Sequence, residues 1–156
     1  MDAEKNPAPV RRFHQTASGF RWDDVSVKVY KPEGTHFRDI TRQVLFEGTA
    51  ESPTQMRYFE IAPGGHSTFE RHEHPHAVFV LRGQGRVLVG ETVAPVTAFD
   101  LVHVPPMTWH QFRAASDAPL GFVCLVPCDR DRPMRPTPDE AAALRAHPVL
   151  REFIRL

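Results

Sequence analysis

Along most of this chain, apolar residues recur at every second position in short runs. The first is "VSVKVY" (25–30), followed by "RQVLFEG" (42–48), "QMRYFEIAPGG" (55–65), "STFERHEH" (67–74), "HAVFVLRG" (76–83) and "GRVLVG" (85–90). "TVAPV" (92–96), "DLVHVPP" (100–106), "WHQFRA" (109–114) and "LGFVCLVP" (120–127) complete the series. Alternation of this kind marks half-buried strands, and the Gly, Pro and Asp clusters between the runs supply turns. Nothing of helical period separates them, so βαβ units are excluded. The pattern predicts an all-β antiparallel sandwich or barrel over residues 22–134.

The two ends break the rhythm. Residues 1–21 carry Pro, Asn and Ser without apolar periodicity and are predicted to form a flexible N-terminal arm. In "RPTPDEAAALRAHPVLREFIRL", Thr137 is placed as an N-cap, Pro138 as the first helical residue and Glu140 as the reciprocal acid of a capping box. Pro148 interrupts or restarts the helix. Leu144, Val149, Leu150 and Phe153 then dock a helical tail, residues 135–156, onto the barrel.

Candidate chemistry enters with "FERHEHPHAVFVLRG" (69–83), where His72, His74 and His76 alternate ahead of Val78 and Val80. On a strand, all five side chains share one face. A single buried histidine commonly does no more than satisfy a carbonyl. Three together cost several kcal/mol to bury unless each finds a partner, and one metal ion partners all of them. In "FDLVHVPPMTWHQFRA", His110 follows a double proline and can supply a further ligand from a neighbouring strand. His103 is read as a core or surface residue, and His14, His36, His66 and His147 as solvent-exposed.

Composition narrows the partners. The 156 residues suffice for one domain with a real core. Nineteen basic and nineteen acidic residues cancel, with only three lysines among the basic ones, so no basic face for nucleic acid or an anionic membrane is expected. No run approaches the ~20 apolar residues of a membrane span, and the polar start is not that of a signal peptide, so a cytoplasmic address is expected. Cys124 and Cys128 would sit roughly 13 Å apart on a strand, too far for a local disulfide. Both are read as reduced thiols, with Cys124 packed as a small hydrophobe.

These residues resemble the cupin superfamily. Its first motif (glycine, a spacer, His-x-His, then Glu and Gly) is matched by Gly65, His72, His74 and Gly83. Its second (Gly-Asp, a strand, Pro-x-Gly-x-x-His) is matched by Asp100, Pro105 and His110, with Phe99 and Met107 where the two glycines fall. The resemblance implies a double-stranded β-helix, or small jelly roll, holding one divalent metal on His72, His74 and His110. The family's glutamate is absent, and its place falls on His76. Either His76 replaces it, with Pro75 supplying the bend, or the ion keeps three histidines and water. An all-imidazole set suits Zn, Fe, Ni or Cu above Mn or Mg.

Strand parity offers Tyr58, Phe69, Phe112, Phe122, Cys124 and Trp109 to line an apolar pocket. Arg57, Arg71 and Arg113 are expected to face solvent. Glu70 is the acid with inward parity, near the barrel mouth. The function implied is a metal-dependent enzyme acting on a small organic molecule by oxygenase, isomerase or lyase chemistry. The other class considered is a non-catalytic cupin that binds or senses a metal or small ligand. A homodimer is expected.

Overall fold

The computed structural model describes residues 9–31 and 34–156. Each alternating run except 67–74 becomes a strand or part of one. They are β1 (Phe13–Thr16), β2 (Gly19–Trp22), β3 (Lys28–Val29), β4 (Arg38–Phe46), β5 (Thr54–His66) and β6 (His76–Val89). β7 (Thr92–Thr97), β8 (Leu101–Val104), β9 (His110–Ala114) and β10 (Leu120–Pro127) follow, then α1 (Pro138–Ala146) and α2 (Pro148–Phe153).

Strand β6 organises the barrel. It fuses two of the predicted runs through Gly83, pairing with β8 and β10 along its first half and with β7 and β9 along its second. Because β5 pairs with both β9 and β10, the ring β5–β9–β6–β10 closes on itself. Gly83 is required there. Its φ is +71°, and a Cβ would collide with the Pro119 carbonyl oxygen. Inside, Ile40, Phe59, Ile61, Val78, Val80, Phe112, Leu120 and Phe122 form the core.

The expected N-terminal arm is corrected in part. Residues 1–8 lie outside the described residues, but β1 and β2 form a hairpin that packs on the outside of the barrel. Phe20 stacks on Tyr58 at 5.9 Å, Trp22 meets it edge-on at 5.1 Å, and the Gln43 amide donates to the Phe20 carbonyl at 2.9 Å. "GFRW" carries no long apolar period, because its aromatics cover an existing surface and build no core of their own.

The tail follows its sequence signals. Thr137 caps α1, its hydroxyl accepting from the Glu140 amide, while the Glu140 side chain accepts from the Thr137 N–H. Leu150, Phe153 and Ile154 join Phe69 and Leu88 in a second apolar cluster, which seats the tail against β6. Arg71 ties α1 down through Glu140 at 2.8 Å.

Phe99 and Met107, standing where the resemblance puts glycines, keep a glycine-like backbone, with φ of 77° and 54°. A side chain in that region carries about 1–3 kcal/mol of strain. Phe99 is largely exposed and its ring contributes little packing. Phe99→Gly should therefore raise the unfolding free energy by about 0.5–1 kcal/mol after the extra unfolded-state entropy of glycine is counted. Urea unfolding of the two proteins measures it, and a loss of stability would mean that contact with Phe79 outweighs the strain.

Candidate metal centre

The predicted strand over 67–74 is an irregular segment, and that irregularity makes the centre. β5 stops at His66, Glu70 and Arg71 form isolated bridges to His110 and Met134, and β6 begins only at His76. On a straight strand His72 and His76 would lie roughly 13 Å apart. Here the chain bends through residues 72–75, and their ring centres are 4.3 Å apart. Pro75 lies in the bend. His110, the first residue of β9, closes the group from the facing wall, its ring 4.8 Å from that of His72.

One ring nitrogen from each of His72, His76 and His110 lies within 4.8 Å of the others, a group able to hold a metal ion. His74 stacks flat on His72, with ring centres 3.8 Å apart and planes 5° apart, and is not one of that group of three. Three of the four rings are oriented through Nδ1. His72 donates to the His74 carbonyl at 2.6 Å, His110 to the Thr108 carbonyl at 2.9 Å, and His74 to the Asp131 carboxylate at 2.5 Å. These acceptors fix the proton on Nδ1 and leave Nε2 as the free lone pair, the arrangement that metal-binding imidazoles use. Nε2 of His72 is buried without a hydrogen-bond partner.

The electrostatics keep the rings in ligand form. Burial, then the neighbouring His110 and His74, push His72 down to about 4. Burial and the same crowding hold His76 far below the usual imidazole range, and burial lowers His110. A cation with bonds of ~2.1 Å needs donors no more than about 4 Å apart, so small ring movements would complete the fit. The donor set thus fits a divalent transition metal.

The backbone pins the same residues. Glu70 and His110 exchange hydrogen bonds at 3.2 and 3.0 Å, and the Met107 N–H donates to the His72 carbonyl at 2.7 Å. Asp131 accepts from the backbone N–H groups of Glu73 and His74 as well as from the His74 ring. Burial pushes its carboxyl up, but these bonds outweigh it and hold the group well below the usual carboxylate range.

Beside the histidines lies a cavity of about 180 Å3, lined by His74, His76, His110, Phe112, Phe122 and Cys124 together with Phe59, Ile40, Tyr30, Lys31, Arg42, Arg57, Glu70 and Arg130. Phe112, Phe122, Cys124 and Glu70 thus lie where parity put them. Tyr58 and Phe69 do not. Cys124 pairs with Arg57 and Phe122 with Phe59, so Tyr58 points to the opposite face, under the β1–β2 hairpin, where its hydroxyl donates to Glu60 at 2.7 Å. Phe69 stacks on Trp109 at 5.1 Å beneath the helical tail. Arg57, expected outside, faces inward and is nearly buried. Arg71 and Arg113 go to the tail, to Glu140 and the Phe153 carbonyl.

Asp131, Tyr30, Lys31, Arg42 and Arg130 are the polar residues lining or supporting the cavity that matter most among those sequence reasoning did not single out. Lys31 and Arg42 fall at the edges of the runs 25–30 and 42–48, where a charged residue reads as solvated. Asp131 and Arg130 fall in "CDRDRP", a charged turn with no period.

A closed eight-stranded barrel with imidazoles gathered inside defines a double-stranded β-helix of the metal-site type. The family described as Cupin domain matches residues 57–126. A curated relative, 1-methylthio-D-xylulose 5-phosphate methylsulfurylase of Rhodospirillum rubrum, is 47% identical over 145 residues, covering 92% of each chain. A cupin-2 conserved barrel protein from Rhodopseudomonas palustris superposes with a TM-score of 0.84 at 49% identity, over 93% of this chain and 99% of its own. A cupin-2 domain protein from Rhodospirillum rubrum gives 0.82 at 47%, over 90% and 95%. The chain belongs to the cupin family. Among the described residues, no helix is long and apolar enough to cross a membrane.

Asp131 supports the centre without lining it, which makes it a sharp test. Asp131→Asn should weaken metal affinity by about 10- to 100-fold while leaving the fold intact. Competition against a chelating dye reads the affinity and circular dichroism the fold. Unchanged affinity would mean that Asp131, through His74 and its carbonyl, does not position His72.

Proposed function

We propose that this chain is a metal-dependent cupin enzyme that transfers a methylsulfur group from a methylthio-substituted sugar phosphate, acting in the cytoplasm as a homodimer. One observation carries the reading: the cavity beside the three-histidine group contains a thiol, Cys124, flanked by a guanidinium. The substrate class comes from the name of the 47%-identical relative. Pairing of two copies is supported by the apolar outer face, where Phe79, Phe99 and Leu101 are exposed.

His72, His76 and His110 would hold the ion, with His74 oriented alongside by Asp131. A bound ion would supply Lewis acidity toward a substrate carbonyl or hydroxyl oxygen. The chain supplies the rest. Burial pushes the Cys124 thiol up, against the Arg57 guanidinium whose Nη2 lies 3.6 Å from Sγ, so the resting group is a thiol with a cation ready for its thiolate. In a 1-methylthio-2-ketose the thiolate attacks the methylthio sulfur. A sulfur–sulfur bond forms, the bond from sulfur to sugar carbon breaks, and its electron pair passes to that carbon and into the adjacent ketone. Glu70, the one carboxylate lining the cavity among the described residues, lies 2.7 Å from the Lys31 ammonium, and this pair takes up the proton that the Cys124 thiol gives up and returns it to the carbon. An external thiol then cleaves the disulfide on Cys124, carrying the methylthio group away as a mixed disulfide.

Metal analysis of untagged protein should find one divalent transition metal per chain, lost in His110→Ala and in His76→Ala. Retention in His76→Ala would restrict the ligands to the other histidines. A wild type that takes up no metal even on reconstitution would end the metallo-enzyme reading.

Incubated with 1-methylthio-D-xylulose 5-phosphate and no external thiol, the protein should gain one methylthio group on Cys124 by mass spectrometry. Cys124→Ser should lose at least a thousandfold in turnover and keep its metal. Turnover by that variant within tenfold of wild type would exclude Cys124 as the acceptor.

A further inference from the structure

The cavity carries more positive charge than its own acids balance. Lys31, Arg42, Arg57 and Arg130 line it, against the single carboxylate of Glu70, and Lys31 already occupies that carboxylate at 2.7 Å. Three guanidiniums are left over. Arg57 is only 8% exposed, and its contacts are the Cys124 sulfur at 3.6 Å and the Phe59 ring at 5.1 Å, neither of them an anion. Nε of Arg57 and Nε of Arg42 are both buried without a hydrogen-bond partner. The hydrogen bond Arg130 makes goes to the neutral Pro127 carbonyl at 3.1 Å. Among the described residues, none of the three has a carboxylate partner.

Burial and mutual repulsion make this arrangement costly for the empty protein. A buried or half-buried cation without a counter-charge is disfavoured. The crowding is visible in Arg130, whose guanidinium is pushed down by burial first and then by Arg57 and Arg42. Such a cluster persists where an anion repays it on binding. Guanidinium forks bind tetrahedral oxyanions by paired, charge-assisted hydrogen bonds, and a phosphomonoester near neutral pH carries up to two charges where a carboxylate carries one. Three unpaired arginines in one small cavity match the larger charge.

We propose that Arg42, Arg57 and Arg130 form the site that holds the phosphate of a phosphorylated substrate, fixing its other end at Cys124 and the histidine group. This rests on the reading of the substrate as a sugar phosphate. Arg42 and Arg130 are anion-binding residues only. Arg57, which touches both the site and the Cys124 sulfur, links phosphate occupancy to the thiol.

The test is calorimetric titration of the full-length protein, with and without added metal, using inorganic phosphate, glycerol 3-phosphate and glycerol as probes. Wild type should bind both phosphates and ignore glycerol. Arg42→Gln and Arg130→Gln should each weaken glycerol 3-phosphate binding at least tenfold. Neither should lower the melting temperature of the ligand-free protein, since each removes an unbalanced charge. Arg57→Lys covers the case in which loss of the buried charge prevents folding, and should weaken binding through loss of the fork. Wild-type affinity in the arginine variants would overturn the proposal, as would failure of wild type to bind either phosphate, or binding of inorganic phosphate with exclusion of the ester. Intact phosphate binding in a protein that holds no metal or transfers no methylthio group would leave this site standing and remove the methylsulfur-transfer reading alone.

Discussion

The exchange of backbone hydrogen bonds between Glu70 and His110 is the constraint on which the site depends. It joins an irregular segment after β5 to the first residue of β9, two parts of the chain forty positions apart. Without that bridge the histidine segment would have no reason to fold inward, because 72–75 belong to no strand. The Met107 bond to the His72 carbonyl and the Asp131 bonds to Glu73 and His74 fasten the same segment from two further loops. The site is therefore held mainly by main-chain groups, which side-chain substitution does not remove. That rigidity lets several imidazoles be buried together before any ion arrives.

Much of the barrel was legible because burial on one face writes itself as a period of two. The runs at 55–65, 76–90, 109–114 and 120–127 became β5, β6, β9 and β10 with little change of bounds. The capping box at Thr137 and Glu140 was legible for a different reason, since it is a local exchange of hydrogen bonds that needs no tertiary context. The β1–β2 hairpin was not, because its aromatics bury themselves only against Tyr58, a residue distant in sequence.

Parity also explains what succeeded and failed within the cavity. His72, His76 and His110 could be chosen from residue type, but their convergence required a bend that alternation alone denies. Tyr58 was misplaced by one step of register. Cys124 pairs with Arg57, so Arg57 and Phe59 share the cavity face and Tyr58 takes the other. Arg57 itself looked like a solvated cation. An arginine flanked by Met56 and Tyr58 on a strand reads as polar-out when its apolar neighbours are taken as the core face. Here those neighbours face away from the cavity, and the arginine faces into it.

The absent glutamate and the surplus arginines belong to one electrostatic design. A family-type site with a carboxylate ligand would carry part of its counter-charge internally. Here the donors that converge are neutral imidazoles, so a dipositive ion would bring its whole charge into a cavity already lined by Arg42, Arg57 and Arg130. Like charges at such distances oppose one another strongly where water is excluded. Metal and anion should consequently bind with positive coupling, each repaying the repulsion that the other suffers. On the proposed reading, an anionic substrate would then do what the missing carboxylate would have done. On that reading, the site would be completed electrostatically only when the substrate is in place, because the cavity's own carboxylate, Glu70, is already taken by Lys31.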